Sequence, residues 1–434
     1  MLKINKRWGF YALLIACLLL ALIRYAFQMD VPRIFLTALI IAIAMFGDRD
    51  EILAILLGCI PLHNAIDFYT AILACALIYV LKNPKKTRVN AATVLFLIIM
   101  VYELLHCFSA EFSLKLFLVD ITPLLALTVI VSMDQQDVNY AFVVRSMALC
   151  SVCMCAILLA QTVVLAHGDF SVAFLDLKRL GMLADEEFLI GSEINPNSLG
   201  VINLLATTGL LQISLRGQRR KTDLFMILLL LVFGILTLSR TFLICLLLMI
   251  VLWVLGQPGS VKKKMISFVC ILVVAAVLLL LMTVIFPGVL DNYLDRFRSD
   301  DITTGRDVIM TQYQSYIQDH TSVLFFGVGT HNFMEKVTNI YAISSHTPHN
   351  SIQEIVVAWG LIGLLLVATL LIAMILEAKQ YHRRLTVLNY IPLLLILAKS
   401  MAGQLLTSGY TILALGFAYL SLCQDFDGEA DRKR

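Results

Sequence analysis

Apolar runs separated by short polar breaks fill nearly the whole chain. They fall at residues 8–27, 31–46, 51–62, 67–81, 91–107, 116–131, 139–166, 197–215, 223–238, 241–256, 265–287, 351–377, 385–400 and 405–422. A helix that crosses the hydrocarbon of a bilayer needs about 20 apolar residues, and about 17 suffice. The pattern therefore predicts about fourteen spans. Runs 51–62 and 67–81 are short and are separated by Pro61, His63 and Asn64. They read either as two tilted spans or as one broken pair, which would bring the number to about twelve. The expected fold is an all-α, polytopic transmembrane bundle of about 12–14 helices. Residues 1–287 carry the first eleven helices and a loop at about 167–196. Residues 288–350 form a long loop containing short helices, and 351–434 carry the last helices and a short tail.

Composition narrows the class. Hydrophobic residues make up 60% of the 434 positions and charged residues 15%, with a mean hydropathy of +0.89. Those values exclude a cytosolic enzyme, a disordered scaffold and a disulfide-stapled mini-domain. The net charge of +3 gives no reason to expect nucleic acid, but charge placement is informative. With fourteen crossings, nearly every basic cluster falls on one side: Lys3/Lys6/Arg7, Arg49, Lys82/Lys85/Lys86/Arg88, Arg216/Arg219/Arg220/Lys221, Lys262/Lys263/Lys264, Lys379/Arg383/Arg384 and Arg432/Lys433/Arg434. The positive-inside rule makes that side, with both termini, cytoplasmic. The loops at 167–196 and 288–350 are then extracytoplasmic. The first run lacks a small-x-small cleavage site and reads as an uncleaved helix. All ten cysteines lie in or beside apolar segments, so Cys150-x-x-Cys153 reads as packing rather than redox or metal chemistry.

Polar chemistry gathers on the predicted outer face. Only His382 of the eight histidines falls on the cytoplasmic side, and His320, His331, His346 and His349 share the long loop. That loop opens with an amphipathic run from Leu290 to Phe297. A helix is predicted after Thr304-Gly305-Arg306, with Ile309, Tyr313, Tyr316 and Ile317 at helical spacing. Three inward-running helices start from Asn195-Pro196-Asn197-Ser198, Ser239-Arg240-Thr241 and His346-Thr347-Pro348-His349-Asn350-Ser351. Their caps aim the positive ends of helix dipoles outward, so convergence of the three would make a diphosphate pocket. Simpler readings stand beside this one. Arg240 could snorkel to the interface. His346 and His349 lack a matching ligand pair, so no metal is expected. Gly327-x-Gly329 reads as a turn, and Glu103, His106 and Lys399 as structural pairs near helix ends.

Four stretches together resemble the bacterial O-antigen ligase and O-antigen polymerase (Wzy-type) superfamily of membrane glycosyltransferases. They are Asn195-Pro196-Asn197-Ser198-Leu199-Gly200, Leu238-Ser239-Arg240-Thr241, Thr304-Gly305-Arg306 and His346 through Gly363, in which ten residues separate His349 from Gly360. The resemblance covers about residues 170–380; the N-terminal third matches in hydropathy alone. It implies a GT-C-like membrane enzyme that uses a polyprenyl-diphosphate-linked glycan as donor, outside the cytoplasm, with neither nucleotide sugar nor metal nor other cofactor. The acceptor would be a second lipid-linked repeat unit in a polymerase and lipid A-core in a ligase. A chain-length regulator is a candidate partner. By the resemblance, Arg240 and Arg306 map onto the essential arginines and His349 onto the essential histidine. Arg179, Asn197, His346, Asn350, Arg296 and Arg298 complete the candidate substrate-binding set.

The chemistry is compatible with that mapping. Guanidinium groups stabilise charge developing on a departing diphosphate, and an imidazole can take the acceptor hydroxyl's proton. Direct displacement with inversion is expected, although Asp291, Asp295, Asp300 and Asp301 stay open as nucleophiles. Polymerase is the first reading and ligase the second. A lipid-linked oligosaccharide flippase is the third, and it would place charges at mid-membrane depth.

Overall fold

The computed structural model describes residues 7–108, 114–135, 138–170, 173, 177–180, 182–183, 195–257, 259–285, 294, 306–330, 348–381, 385–406 and 408–426. Every one of the fourteen apolar runs is a helix. They are α1 (Trp8–Tyr25), α2 (Arg33–Phe46), α3 (Arg49–Leu62), α4 (Phe68–Lys82), α5 (Ala91–Cys107), α6 (Leu114–Ser132), α7 (Tyr140–Leu165), α8 (Pro196–Leu215), α9 (Lys221–Leu236), α10 (Arg240–Gly256), α11 (Val261–Ile285), α14 (Ser351–Ala378), α15 (Val387–Met401) and α16 (Gly409–Leu422). The loop at 288–350 contributes α12 (Arg306–Asp319) and α13 (Thr321–Phe326). One small departure from an all-α fold is a hairpin of β1 (Leu177–Arg179) and β2 (Met182–Leu183), antiparallel and in the loop before α8. The predicted run from Leu290 to Phe297 lies outside the described residues except at Leu294.

The bundle has an apolar core and, unlike a soluble protein, an apolar outer surface as well. Large apolar side chains point outward along α1 (Ile15, Leu19), α5 (Leu97, Val101, Leu105), α10 (Ile244, Leu247) and α11 (Val273, Val277, Leu280). A surface that apolar is stable only against lipid. Four helices, α1, α7, α8 and the one beginning at Ser351, are long and apolar enough to cross a membrane by length and composition. The chain is a multi-pass helical membrane protein. Every residue of α3 from Glu51 to Leu62 is buried, and the helix lies among α2, α4, α7 and α16. Thus α3 and α4 are two short helices, the first wholly enclosed by its neighbours.

The bundle has two chemically different ends. At one, Lys82 Nζ caps the carbonyl end of α2 through Met45 O at 2.9 Å and Gly47 O at 2.6 Å, a favourable place for a cation. At the same end, Arg145 pairs bidentately with buried Asp223, both N···O distances being 2.8 Å. Asp223 also accepts from Arg220 N at 2.8 Å. Removing one partner of such a buried pair strands the other charge. Asp223→Ala is expected to destabilise the fold by about 3 kcal/mol, read as a lowered Tm in detergent, and more than the exposed Arg88–Asp134 pair does.

Buried amides set the register between helices. Gln212 on α8 donates to Leu388 O at 2.8 Å and to Ser421 Oγ at 2.7 Å. Asn389 on α15 donates to Gln424 O at 2.6 Å. In an apolar surround, a slip of any of these helices would leave amide groups unpaired. The register fixed here determines what α8, α15 and α16 present at the opposite end.

Candidate active site

At that opposite end, the three polar helix starts come together. A small polar cavity of about 60 Å³ is lined by Asn195, Asn197 and Ser198 of the α8 start, Thr241 of the α10 start, and His349 just before α14. Arg306, Lys399, Ala402, Gly403, Gln404 and Tyr410 complete the lining. The caps are formed as the residue types suggested. Asn195 accepts from Asn197 N at 3.0 Å, Ser239 from Phe242 N at 3.2 Å, and Asn350 from Ile352 N at 2.9 Å. Each cap holds its first turn in place and leaves a helix dipole directed at the cavity region.

Arg240 is the first residue of α10. The turn before it places buried Leu238 at φ 49°, a conformation that costs a side-chain-bearing residue about 1–2 kcal/mol and survives only where packing imposes it. Leu236 O, at the end of α9, accepts from Leu180 N at 3.0 Å, so the hairpin carrying Arg179 docks beside this turn. Arg306, the first residue of α12, donates through Nη1 to Ala402 O at 3.3 Å. Burial, and after it the charge of Arg240, lower the pKa of Arg306. The guanidinium remains charged, but two like charges held close together favour an anion between them.

Of the nine candidate residues, Asn197, Arg306 and His349 line the cavity, and Arg240 adjoins it through Thr241. Asn350 is occupied at its Oδ1 by the α14 cap. Arg179 sits on the hairpin, half-buried. His346, Arg296 and Arg298 lie outside the described residues, as do Asp291, Asp295, Asp300 and Asp301.

The sequence reading did not anticipate how the long loop is clamped over the bundle. After α13 the backbone runs alongside α14, with Val328 N donating to Val357 O at 2.9 Å and Gly329 N to Ala358 O at 2.7 Å. The close approach requires two glycines in left-handed conformations, Gly327 at φ 74° and Gly360 at φ 65°. A Cβ on Gly327 would run into Ala358 O, and one on Gly360 into Phe325 O. Buried Glu103 of α5 completes the clamp by accepting from Thr330 N at 3.1 Å and from Trp359 Nε1. Gly327-x-Gly329 is therefore half of a tertiary contact whose other half is Gly360. Gly360→Ala is expected to cost at least about 1–2 kcal/mol and to lower activity by misplacing α12 and Arg306. Tm and initial rate, measured on the same preparation, check both.

Two further groups were missed. Glu354, wholly buried in the first turn of α14, accepts through Oε2 from Leu405 N at 2.7 Å and Leu406 N at 3.1 Å. It thereby fixes the 402–406 loop against the cavity. Tyr410 of α16 bonds Ser198 Oγ and stacks on His63 with ring centres 4.2 Å apart. Burial, with the Lys399 charge acting in the same direction, lowers the pKa of His63 to about 4. His63 is therefore neutral at pH 7 and acts as packing.

Residues 225–368 match the family model described as O-antigen ligase. This stretch is similar to an O-antigen ligase domain. That domain, about a third of the 434 residues, takes in Arg240, Arg306, His349, the Gly327–Gly360 clamp and most of α14. It supports the resemblance to the ligase and polymerase superfamily and implies a membrane glycosyltransferase-like enzyme. The α8 start and the 399–410 wall of the cavity fall outside it. No curated protein and no solved structure matches the chain.

Proposed function

We propose that the protein polymerises polyprenyl-diphosphate-linked oligosaccharide repeat units into a surface polysaccharide, by inverting glycosyl transfer on the extracytoplasmic face of the bacterial inner membrane. The observation that carries this reading is the cavity shared by three helix starts, Arg306 and His349, with Arg240 close enough to act on Arg306. The acceptor sugar's hydroxyl attacks the anomeric carbon of the donor. His349 accepts the hydroxyl proton as the new C–O bond forms. The bond to the diphosphate breaks, and the added negative charge on the leaving group falls to Arg240, Arg306 and the helix ends. This chemistry needs no group the chain does not itself supply. Orientation is supported by the basic ends of α4, α7 and α8 lying opposite the cavity, as cytoplasmic ends would.

The ligase reading is kept as a second one because the matching domain bears that description. A flippase is disfavoured by charge placement. Of the buried ionisable residues, Glu51, Asp223, Glu354 and Lys399 fall in first or last turns of their helices, and Glu103 lies one residue before the last turn of α5.

Proteoliposomes given one purified polyprenyl-diphosphate oligosaccharide, without lipid A-core, test the reading. A product ladder is expected. Transfer that begins only when lipid A-core is added makes the protein a ligase. Movement of intact donor across the bilayer, with no transfer to any acceptor, contradicts both enzyme readings.

A further inference from the structure

Lys399 closes the last turn of α15 and is 8% exposed, yet it lines the same cavity as Arg306 and His349. Its ammonium donates to Gln404 O at 3.0 Å and to Thr411 Oγ1 at 2.9 Å, and lies 5.1 Å from the centre of the Tyr410 ring. All three neighbours are neutral. Among the described residues, no carboxylate is within ion-pair distance of it. The buried carboxylate that holds the same loop, Glu354, is engaged by the Leu405 and Leu406 amides. An ammonium has three donors, and among the described residues two have partners.

Burying a cation among neutral groups costs several kcal/mol unless an anion joins it. The loop makes the arrangement specific. Arg306 binds the carbonyl of Ala402 and Lys399 the carbonyl of Gln404, so one short segment anchors both cations beside one cavity. Ser198 and Tyr410, bonded to each other, supply hydroxyls to the same wall. The grouping is rich in donors and suits phosphate oxygens better than sugar.

Resting on the function proposed above, we propose that Lys399 is a further donor-binding residue, contacting a phosphate oxygen of the lipid-linked diphosphate from the wall of the cavity formed by residues 399–410. It acts as a compact point charge rather than a bidentate fork. Its share is in holding the diphosphate, before and after transfer, whereas Arg240 and Arg306 stabilise the charge that develops as the bond breaks.

Lys399→Met keeps the stem and removes the charge; Lys399→Arg keeps a charge. Both are compared with wild type in nanodiscs of zwitterionic lipid. The probes are sugar-free polyprenyl diphosphate, inorganic pyrophosphate and vesicles containing phosphatidylglycerol. Kinetics with the full donor and ligand-free Tm are recorded alongside. The expected result is that Lys399→Met weakens polyprenyl diphosphate and pyrophosphate binding about 10–100-fold and raises KM more than it lowers kcat. Lys399→Arg recovers much of the loss, and ligand-free Tm stays near wild type. Unchanged diphosphate binding by Lys399→Met overturns the assignment. So does a loss of binding that follows a fall in ligand-free Tm and is not recovered by Lys399→Arg, since that is what a purely structural lysine would give. A defect confined to phosphatidylglycerol would move the anion from donor to bulk lipid and overturn it too. Absence of polyprenyl diphosphate binding by wild type would instead remove the function on which the assignment rests.

Discussion

Replacing His349 with alanine lowers the rate of glycosyl transfer by about 10²–10⁴-fold, the range for losing a positioned general base. The effect is on kcat, because His349 acts on the acceptor hydroxyl while the diphosphate is held by other groups. The cap of α14 does not depend on His349. The α14 cap is made by Asn350 Oδ1, which accepts from Ile352 N and Gln353 N, and His349 is not part of it. Pro348 is buried, so the approach to the helix is held from the other side as well. His349→Ala is therefore expected to fold, to bind sugar-free polyprenyl diphosphate like wild type, and to fail in transfer. A variant that keeps wild-type kcat would show that another group takes the proton.

Arg240→Ala and Arg306→Ala are each expected to lower kcat by about 10²–10³-fold, the typical loss for one preorganised donor aimed at developing charge. Stability separates them from ordinary defects. Without substrate the two guanidinium groups repel, and Arg306 already carries the cost of burial and of the Arg240 charge. Removing Arg240 should therefore relieve that repulsion on Arg306, while the rise in Tm on adding polyprenyl diphosphate shrinks. Arg306→Lys should recover only part of the rate, since an ammonium does not present a planar pair of donors. Loss of activity accompanied by a lowered ligand-free Tm would assign these arginines to the scaffold. Thermal unfolding with and without polyprenyl diphosphate, beside initial rates, distinguishes the two.

How much of this is legible in the sequence follows from the range of each interaction. The helices are legible because a span is a local run of apolar residues, and all fourteen runs became helices. The caps are equally local, so Asn195, Ser239 and Asn350 could be read as N-caps from residue type alone. Arg240, Arg306 and His349 were reachable through short motifs. What was not legible is long-range. Gly327 and Gly360 are 33 positions apart, and neither shows that it needs the other until their backbones meet. Glu103 looked like a paired helix-end acid, and only the fold supplies Thr330 and Trp359 as its partners. Lys399 was set aside on the same reasoning. A lysine at the end of an apolar helix usually reaches polar groups at the interface, and nothing local shows that it lines a cavity with Arg306.

The most direct test of the central claim, that glycosyl transfer takes place where the α8, α10 and α14 starts meet, is a cryo-EM map of His349→Ala in a nanodisc with a polyprenyl-diphosphate oligosaccharide bound. The expected map places the diphosphate in the cavity against Arg306, with the anomeric carbon toward position 349 and the prenyl chain leading into the membrane. A diphosphate bound at the opposite end of the bundle, or anywhere out of reach of both Arg240 and Arg306, would contradict it.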